Sequence, residues 1–303
     1  MDRAGSGTEV RGAMTALVTP FRNGEIDWPR VDALVDRQID GGTDWLVPCG
    51  TTGETPTLAP AEREQLAEAV IARSGGRCPV MVGTGTNSTA ATVRQTRQAA
   101  AAGADAVVIV APYYNRPTAE GLFRHFAAVA EAVDLPIVLY NVPKRTGVSI
   151  DNDVVVRLRD QFPHIVAIKH ATGSVDGVTD LLSRCDIEVL SGDDALTWPL
   201  MALGAGGVIS VVSNLTPSLV KSQVVAATGG DLVAAERCHR KVYAVAEGIG
   251  RYGPNPVPIK TAMAINGLLE EEFRLPLCPL DSEGRAGIER VLRGHELYEP
   301  LNI

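Results

Sequence analysis

The stretch Met14-Thr15-Ala16-Leu17-Val18-Thr19-Pro20-Phe21-Arg22-Asn23-Gly24 decides between two architectures. Residues 14–18 form a short apolar run of the kind that makes a strand buried on both faces. A doubly wound sheet would follow its first strand with a G-x-G-x-x-G turn, which brings bare backbone and a helix N-terminus against a dinucleotide pyrophosphate. Thr19 to Gly24 has no such spacing. Further runs follow at residues 45–48, 80–84, 106–110, 137–141, 165–169, 188–191 and 207–211. Longer amphipathic stretches lie between them, with helices expected over 28–39, 60–73, 89–102, 120–133, 152–160 and 217–227. Asp27, and Ser88 or Thr89, supply N-cap side chains, and Gly41 and Gly103 suit left-handed C-terminal caps. Eight strand–helix units without a dinucleotide fingerprint predict an α/β fold, a closed (β/α)8 TIM barrel over residues 13–228. Residues 1–12 read as a loose polar tail. Residues 229–303 read as a C-terminal helical appendage packed on the barrel, with helices over 231–247, 257–268 and 281–293 separated by proline clusters.

Composition narrows the function. With 303 residues, 45% hydrophobic and 21% charged, the chain is neither disordered, collagen-like nor a disulfide mini-protein. A net charge of -8 argues against a nucleic-acid partner, whose binders carry a basic footprint. No run of about 18 apolar residues predicts a membrane span, and the start lacks the apolar core of a signal peptide. The expected compartment is the cytoplasm, where five scattered cysteines outside any C-x-x-C pair fit free thiols. His125, His164, His170, His239 and His295 have no metal-ligand spacing, so no metal is expected. Lysine is scarce, five against 23 arginines, which makes Lys144, Lys169, Lys221, Lys241 and Lys260 each worth inspecting.

Barrel enzymes carry their chemistry at the C-terminal ends of strands, where loops enclose a mouth. Lys169 closes the run Ile165-Val166-Ala167-Ile168-Lys169, and strict alternation puts Ile165, Ala167 and Lys169 on one face. If that face is the barrel interior, burial disfavours the ammonium, and a neutral amine can attack a carbonyl to form a Schiff base. The plain alternative is a lysine that ends a strand and snorkels to water. Tyr140 closes the preceding run in the same phase, about 4.8 Å away if the strands are neighbours, and could move protons at Lys169; a core tyrosine is the alternative. Arg145, in the loop that follows, suits a substrate carboxylate, although many loop arginines are merely solvated. Cys49-Gly50-Thr51-Thr52-Gly53-Glu54 offers hydroxyls and backbone N–H groups to an anion but lacks phosphate-loop spacing. Tyr113 and Tyr114 lie in a proline-bounded loop of the kind used for interfaces or lids, and Asp193-Asp194 reads as a helix N-cap.

Taken together, Gly50-Thr51-Thr52-Gly53-Glu54, Pro112-Tyr113-Tyr114-Asn115-Arg116-Pro117, Tyr140 to Gly147, Ile168-Lys169-His170-Ala171-Thr172-Gly173, Ser191-Gly192-Asp193-Asp194, Gly207-Val208-Ile209-Ser210 and Pro254-Asn255-Pro256 resemble the dihydrodipicolinate synthases. These belong to the pyruvate-dependent class I aldolases, together with N-acetylneuraminate lyase. The resemblance runs from about Gly12 to Arg293 in order. It implies that Lys169 forms an imine with pyruvate and that Tyr140 shuttles protons to it. It further implies that Thr51 and Tyr114 complete the proton relay, with Tyr114 reaching a neighbouring subunit's site. Thr52 and Ile209 match the contacts to pyruvate, and Arg145 matches the binder of the second substrate's carboxylate. The implied reaction condenses pyruvate with L-aspartate 4-semialdehyde in lysine (diaminopimelate) biosynthesis, without a cofactor beyond the covalent imine.

The implied assembly is a homotetramer built from tight dimers. Alternatives are a sister aldolase acting on a sialic acid or a 2-keto-3-deoxy sugar acid, and a non-catalytic ligand-binding barrel. His170 departs from the resemblance, because the synthases usually carry an acidic residue after the lysine; by alternation it points away from Lys169. Regulated relatives bind lysine beside residues 54–58 and 87–91, with Tyr113 nearby. Asn87 and Tyr113 match that set, whereas Ala91 replaces a carboxylate and Arg63 a histidine, so lysine inhibition is expected to be weak or absent unless Glu54 or another carboxylate substitutes.

Overall fold

The computed structural model describes residues 9–297. Strand β1 (Gly12–Ala16) is followed by a short hairpin, β2 (Phe21–Arg22) and β3 (Glu25–Ile26), where the dinucleotide turn would have stood. Then come α1 (Trp28–Asp40), β4 (Trp45–Val47), α2 (Pro60–Ser74), β5 (Met81–Gly83), α3 (Thr89–Ala101), β6 (Ala106–Val110) and α4 (Ala119–Ala130). The pattern continues with β7 (Ile137–Asn141), α5 (Pro143–Thr146), α6 (Asn152–Gln161), β8 (Ile165–His170), α7 (Val175–Arg184), β9 (Glu188–Ser191), α8 (Thr197–Ala202), β10 (Gly207–Ser210) and α9 (Pro217–Thr228). Eight of the strands pair in parallel in the order β4-β1-β10-β9-β8-β7-β6-β5. The ring closes where Leu46 bridges Val80 and the Gly83 N–H donates to the Pro48 carbonyl at 3.0 Å. This is the (β/α)8 barrel.

Alternation within each short strand sorts its side chains between two cores. Met14, Trp45, Met81, Val108, Val138 and Leu190 fill the interior. Leu46, Val107, Ile109, Leu139 and Val189 point outward against the helices. One strand breaks the alternation. Ile137 pairs with Ile165 but Val138 pairs with Ala167, so Val166 is an extra residue in a β-bulge. Ile165 therefore packs outward with the helices while Ala167 lies inside, which corrects the expectation that Ile165, Ala167 and Lys169 share a face. The bulge leaves Ala167 and Lys169 on the inner side.

Asp27 and Ser88 cap α1 and α3 as expected, accepting from the N–H groups of Arg30 and Ala91. Gly41 is not left-handed; its φ is -75° and Gly42 takes the positive φ of 83°. Gly41 is small for a different reason: a Cβ there would stand 2.4 Å from Pro217 Cγ on α9. Helix α7 lies outside the stretches expected from periodicity. The expected tail falls mostly outside the described residues, but its last residues are tied to the barrel, where Trp45 Nε1 donates to the Glu9 carbonyl. Val10 is buried at the barrel floor, Arg11 pairs with Glu188, and Gly12 opens β1. Helices α10 (Leu232–Gly250), α11 (Val257–Ile265) and α12 (Ser282–Gly294) follow the barrel. Their buried residues, among them Val242, Ile249, Met263 and Ile288, share a core with Ala13 of β1 and Val208 of β10.

Candidate active site

A cavity of about 280 Å³ opens at the C-terminal ends of the strands, and Lys169, Tyr140, Thr51, Thr52, Arg145 and Ile209 all line it. Tyr140 and Lys169 are register partners on β7 and β8. Lys169 is 7% exposed, and its Nζ lies 4.2 Å from the centroid of the Tyr140 ring. Space for the lysine comes from Gly192, the first residue after β9. A Cβ at that position would stand 3.1 Å from both Cγ and Cε of Lys169 and 2.7 Å from the Ala171 Cβ. The deeper wall is apolar, with Ala16, Val47 and Val108 facing the cavity. An amine and a phenol over an apolar floor can act on a small carbonyl compound.

Thr51 and Thr52 sit in a 3-10 turn, Thr51–Gly53, directly after β4 and Pro48-Cys49-Gly50. The turn is stapled from both sides. Thr19 Oγ1 donates to the Gly53 carbonyl at 2.7 Å, and Thr55 Oγ1 donates to the Gly50 carbonyl at 2.7 Å. Among the described residues, no hydrogen bond within the chain engages the hydroxyls of Thr51, Thr52 and Tyr140 or the Lys169 amine. Thr51 and Tyr140 thus share a cavity without a direct bond between their hydroxyls. Cys49 also lines the cavity, and burial pushes its thiol up to about 12, so the sulfur stays protonated.

Arg145 lies in α5, a single turn started by Pro143 and ended by left-handed Gly147. Its Nη2 donates to the Asn255 carbonyl at 2.9 Å, fixing the guanidinium at the rim. Ile209 is buried in β10. Tyr114 stands apart. It is 90% exposed with a φ of 72° and does not line the cavity, whereas its neighbour Tyr113 does. His170 turns away from the cavity as alternation required; its Nε2 lies 3.1 Å from Thr172 Oγ1, and burial lowers its pKa.

Three supporting residues were not legible as such. Asp193 is the expected N-cap, accepting from the Ala195 N–H at 3.1 Å, but Asp194 does something else. Its buried carboxylate accepts from the N–H groups of Val211 and Val212, each at 3.0 Å, and so ties down the end of β10 beside Ile209. Gly192 clears the lysine. Lys260, fully buried on α11, pairs with Glu54 beside the Thr51–Gly53 turn; only the scarcity of lysines had marked it.

The match to known proteins is consistent with this geometry. The dihydrodipicolinate synthetase family matches residues 9–294. The chain belongs to the dihydrodipicolinate synthetase family. A curated 4-hydroxy-tetrahydrodipicolinate synthase from Pelobacter propionicus is 48% identical over 95% of this chain and 99% of its own length. The crystal structure of the Aquifex aeolicus dihydrodipicolinate synthase superposes with a TM-score of 0.93 at 42% identity, covering 95% of this chain and 99% of that one. A chloride-inhibited dihydrodipicolinate synthase from Acinetobacter baumannii, solved in complex with pyruvate, is 40% identical with a TM-score of 0.92 and the same coverage. This member of the family holds its amine, phenol and rim arginine in one cavity.

Proposed function

We propose that this chain is a 4-hydroxy-tetrahydrodipicolinate synthase, a lyase-class enzyme that condenses pyruvate with L-aspartate 4-semialdehyde in lysine and diaminopimelate biosynthesis. The observation that carries the reading is the pairing of Lys169 with Tyr140 across β7 and β8, inside a cavity with Arg145 at its rim. In this reading Lys169 Nζ attacks the ketone carbon of pyruvate, and loss of water leaves an imine. The imine is the electron sink, so no diffusible cofactor is required. Thr52 and the Ile209 segment hold the pyruvate carboxylate end. Tyr140, with Thr51 and the Tyr114 of a neighbouring subunit, moves the protons that form and resolve the imine and release the enamine. The enamine carbon attacks the aldehyde of the second substrate, whose carboxylate accepts hydrogen bonds from Arg145. Attack by that substrate's amino group on the imine carbon closes the ring and returns Lys169 as the free amine.

The synthase names of the relatives and Arg145 at the rim favour this reaction over the sugar-acid lyases. Exposed Tyr114 supports a dimer as the smallest active unit and, by family resemblance, a tetramer of two dimers. Among the described residues no helix is long and apolar enough to cross a membrane, and a biosynthetic role fits the cytoplasm. Borohydride reduction in the presence of pyruvate tests the assignment. Wild-type protein should gain covalent mass on Lys169, and Lys169→Ala should neither gain mass nor turn over. Mass uptake by the alanine variant would overturn it, and pyruvate release from sugar acids without consumption of aspartate semialdehyde would move the chain to the sister reaction.

A further inference from the structure

The Thr51–Gly53 turn is held from behind by a pair of charges buried far from solvent. Lys260 is 0% exposed, and its Nζ donates to Glu54 Oε1. The same ammonium donates to the Glu272 carbonyl at 2.7 Å and lies 4.5 Å and 4.8 Å from the ring centroids of Phe21 and Phe273. Glu54 is 2% exposed, and its other oxygen accepts from the Arg274 N–H at 3.1 Å. Both oxygens of Glu54 are therefore taken by groups from beyond the barrel. Glu54 also has a φ of 54°, a left-handed conformation uncommon for a residue with a side chain. It is the hinge between two 3-10 turns, Thr51–Gly53 and Thr55–Thr57. A buried pair of this sort is a poor source of net stability, because desolvation offsets the attraction. What it does supply here is position: the carboxylate cannot leave the ammonium, so the backbone of the threonine turn cannot drift.

We infer that Lys260 is a positioning residue for the reaction, acting through Glu54 to hold the Thr51 and Thr52 hydroxyls against Lys169 and Tyr140. The C-terminal helices are then part of the active-site scaffold rather than a cover on the barrel. The inference rests on the proposed synthase reaction, and the test keeps the two apart.

The experiment compares Lys260→Met, Glu54→Gln and the double variant by thermal unfolding, steady-state kinetics and borohydride trapping of pyruvate. Removing both charges together should leave a folded protein, since neutral replacements of a buried pair are often tolerated. That protein should lose about 10- to 100-fold in kcat/KM, the scale expected when reacting groups shift by ~1 Å. The double variant should be no worse than the poorer single variant, because the two residues act as one unit. A folded double variant within about twofold of wild type would overturn the role, as would losses that multiply. A double variant that fails to fold would assign the pair to stability and also overturn it. If wild-type protein itself traps no pyruvate, the functional reading falls and the inference falls with it; trapping by wild type with unchanged variants sinks the inference alone.

Discussion

At the scale of single residues, two groups have consequences for behaviour in solution. Glu54 was the nearby carboxylate that could have received the ammonium of a bound lysine in the cleft beside α3. Its two oxygens are committed to Lys260 and Arg274. Ala91 offers no charge, and the Arg63 guanidinium lines the neighbouring cavity with its Nε donating to the Leu58 carbonyl. Losing a charged hydrogen-bond partner costs roughly 1.5–3 kcal/mol, about ten- to a hundredfold in affinity. Lysine added at fixed pyruvate should therefore inhibit weakly or not at all; strong inhibition below about a millimolar, near -4 kcal/mol, would contradict this. His125 bears on acid stability. It is 4% exposed against Phe126, and burial holds its imidazole down to about 4. In the unfolded chain it titrates near 6.5, so the unfolded state binds the extra proton between those values. The stabilisation is complete above about pH 6.5 and is lost as pH falls toward 4, on the order of 3 kcal/mol. Burial shifts His170 and His239 the same way. Thermal unfolding at pH 7 and pH 4.5 should show a smaller drop for His125→Gln than for wild type; equal drops would refute the assignment.

At the scale of elements, the site depends on how strands end. The bulge at Val166 turns the end of β8 so that Ala167 and Lys169 face inward, and β9 stops at Ser191 before Gly192. Gly192 has no unusual backbone demand among the described residues; it is small because Lys169 passes beside it. Gly192→Ala puts a methyl group 3.1 Å from two lysine carbons and 2.7 Å from the Ala171 Cβ. Overpacking of this kind costs about 1–3 kcal/mol. The larger effect should be on chemistry, with slower imine formation in a stopped trapping assay at saturating pyruvate. An alanine variant that traps pyruvate at the wild-type rate would show that the lysine has room to spare.

At the scale of the whole molecule, one expected relay residue lies outside the cavity of its own chain. Tyr114 is 90% exposed, tethered by its N–H to the Thr146 carbonyl at 3.3 Å. If it serves a neighbour's site, two inactive chains should repair each other. In a co-expressed equal mixture of Tyr114→Phe and Lys169→Ala, half the dimers are mixed, and each mixed dimer has one site with both groups. Activity should reach about a quarter of wild type, since two-fold exchange of identical loops is reciprocal. No gain over the parent variants would place Tyr114 outside the relay.

The sequence by itself determined the eight parallel strands, the barrel and the residues at its mouth. These depend on local periodicity and on position at a strand's end, both carried by neighbouring residues. It also carried Lys169 and Tyr140 as a pair, because consecutive parallel strands are adjacent in space. Tertiary structure alone decided the rest. The bulge at Val166 exists only in the register of β8 against β7. Four-residue α5 and six-residue α8 are too short to show a helical period. Glu54 and Lys260 lie 206 residues apart in sequence, and only the folded chain brings their charges into one dry place. A charge pair of that kind leaves no local pattern, because each partner takes its meaning from the other.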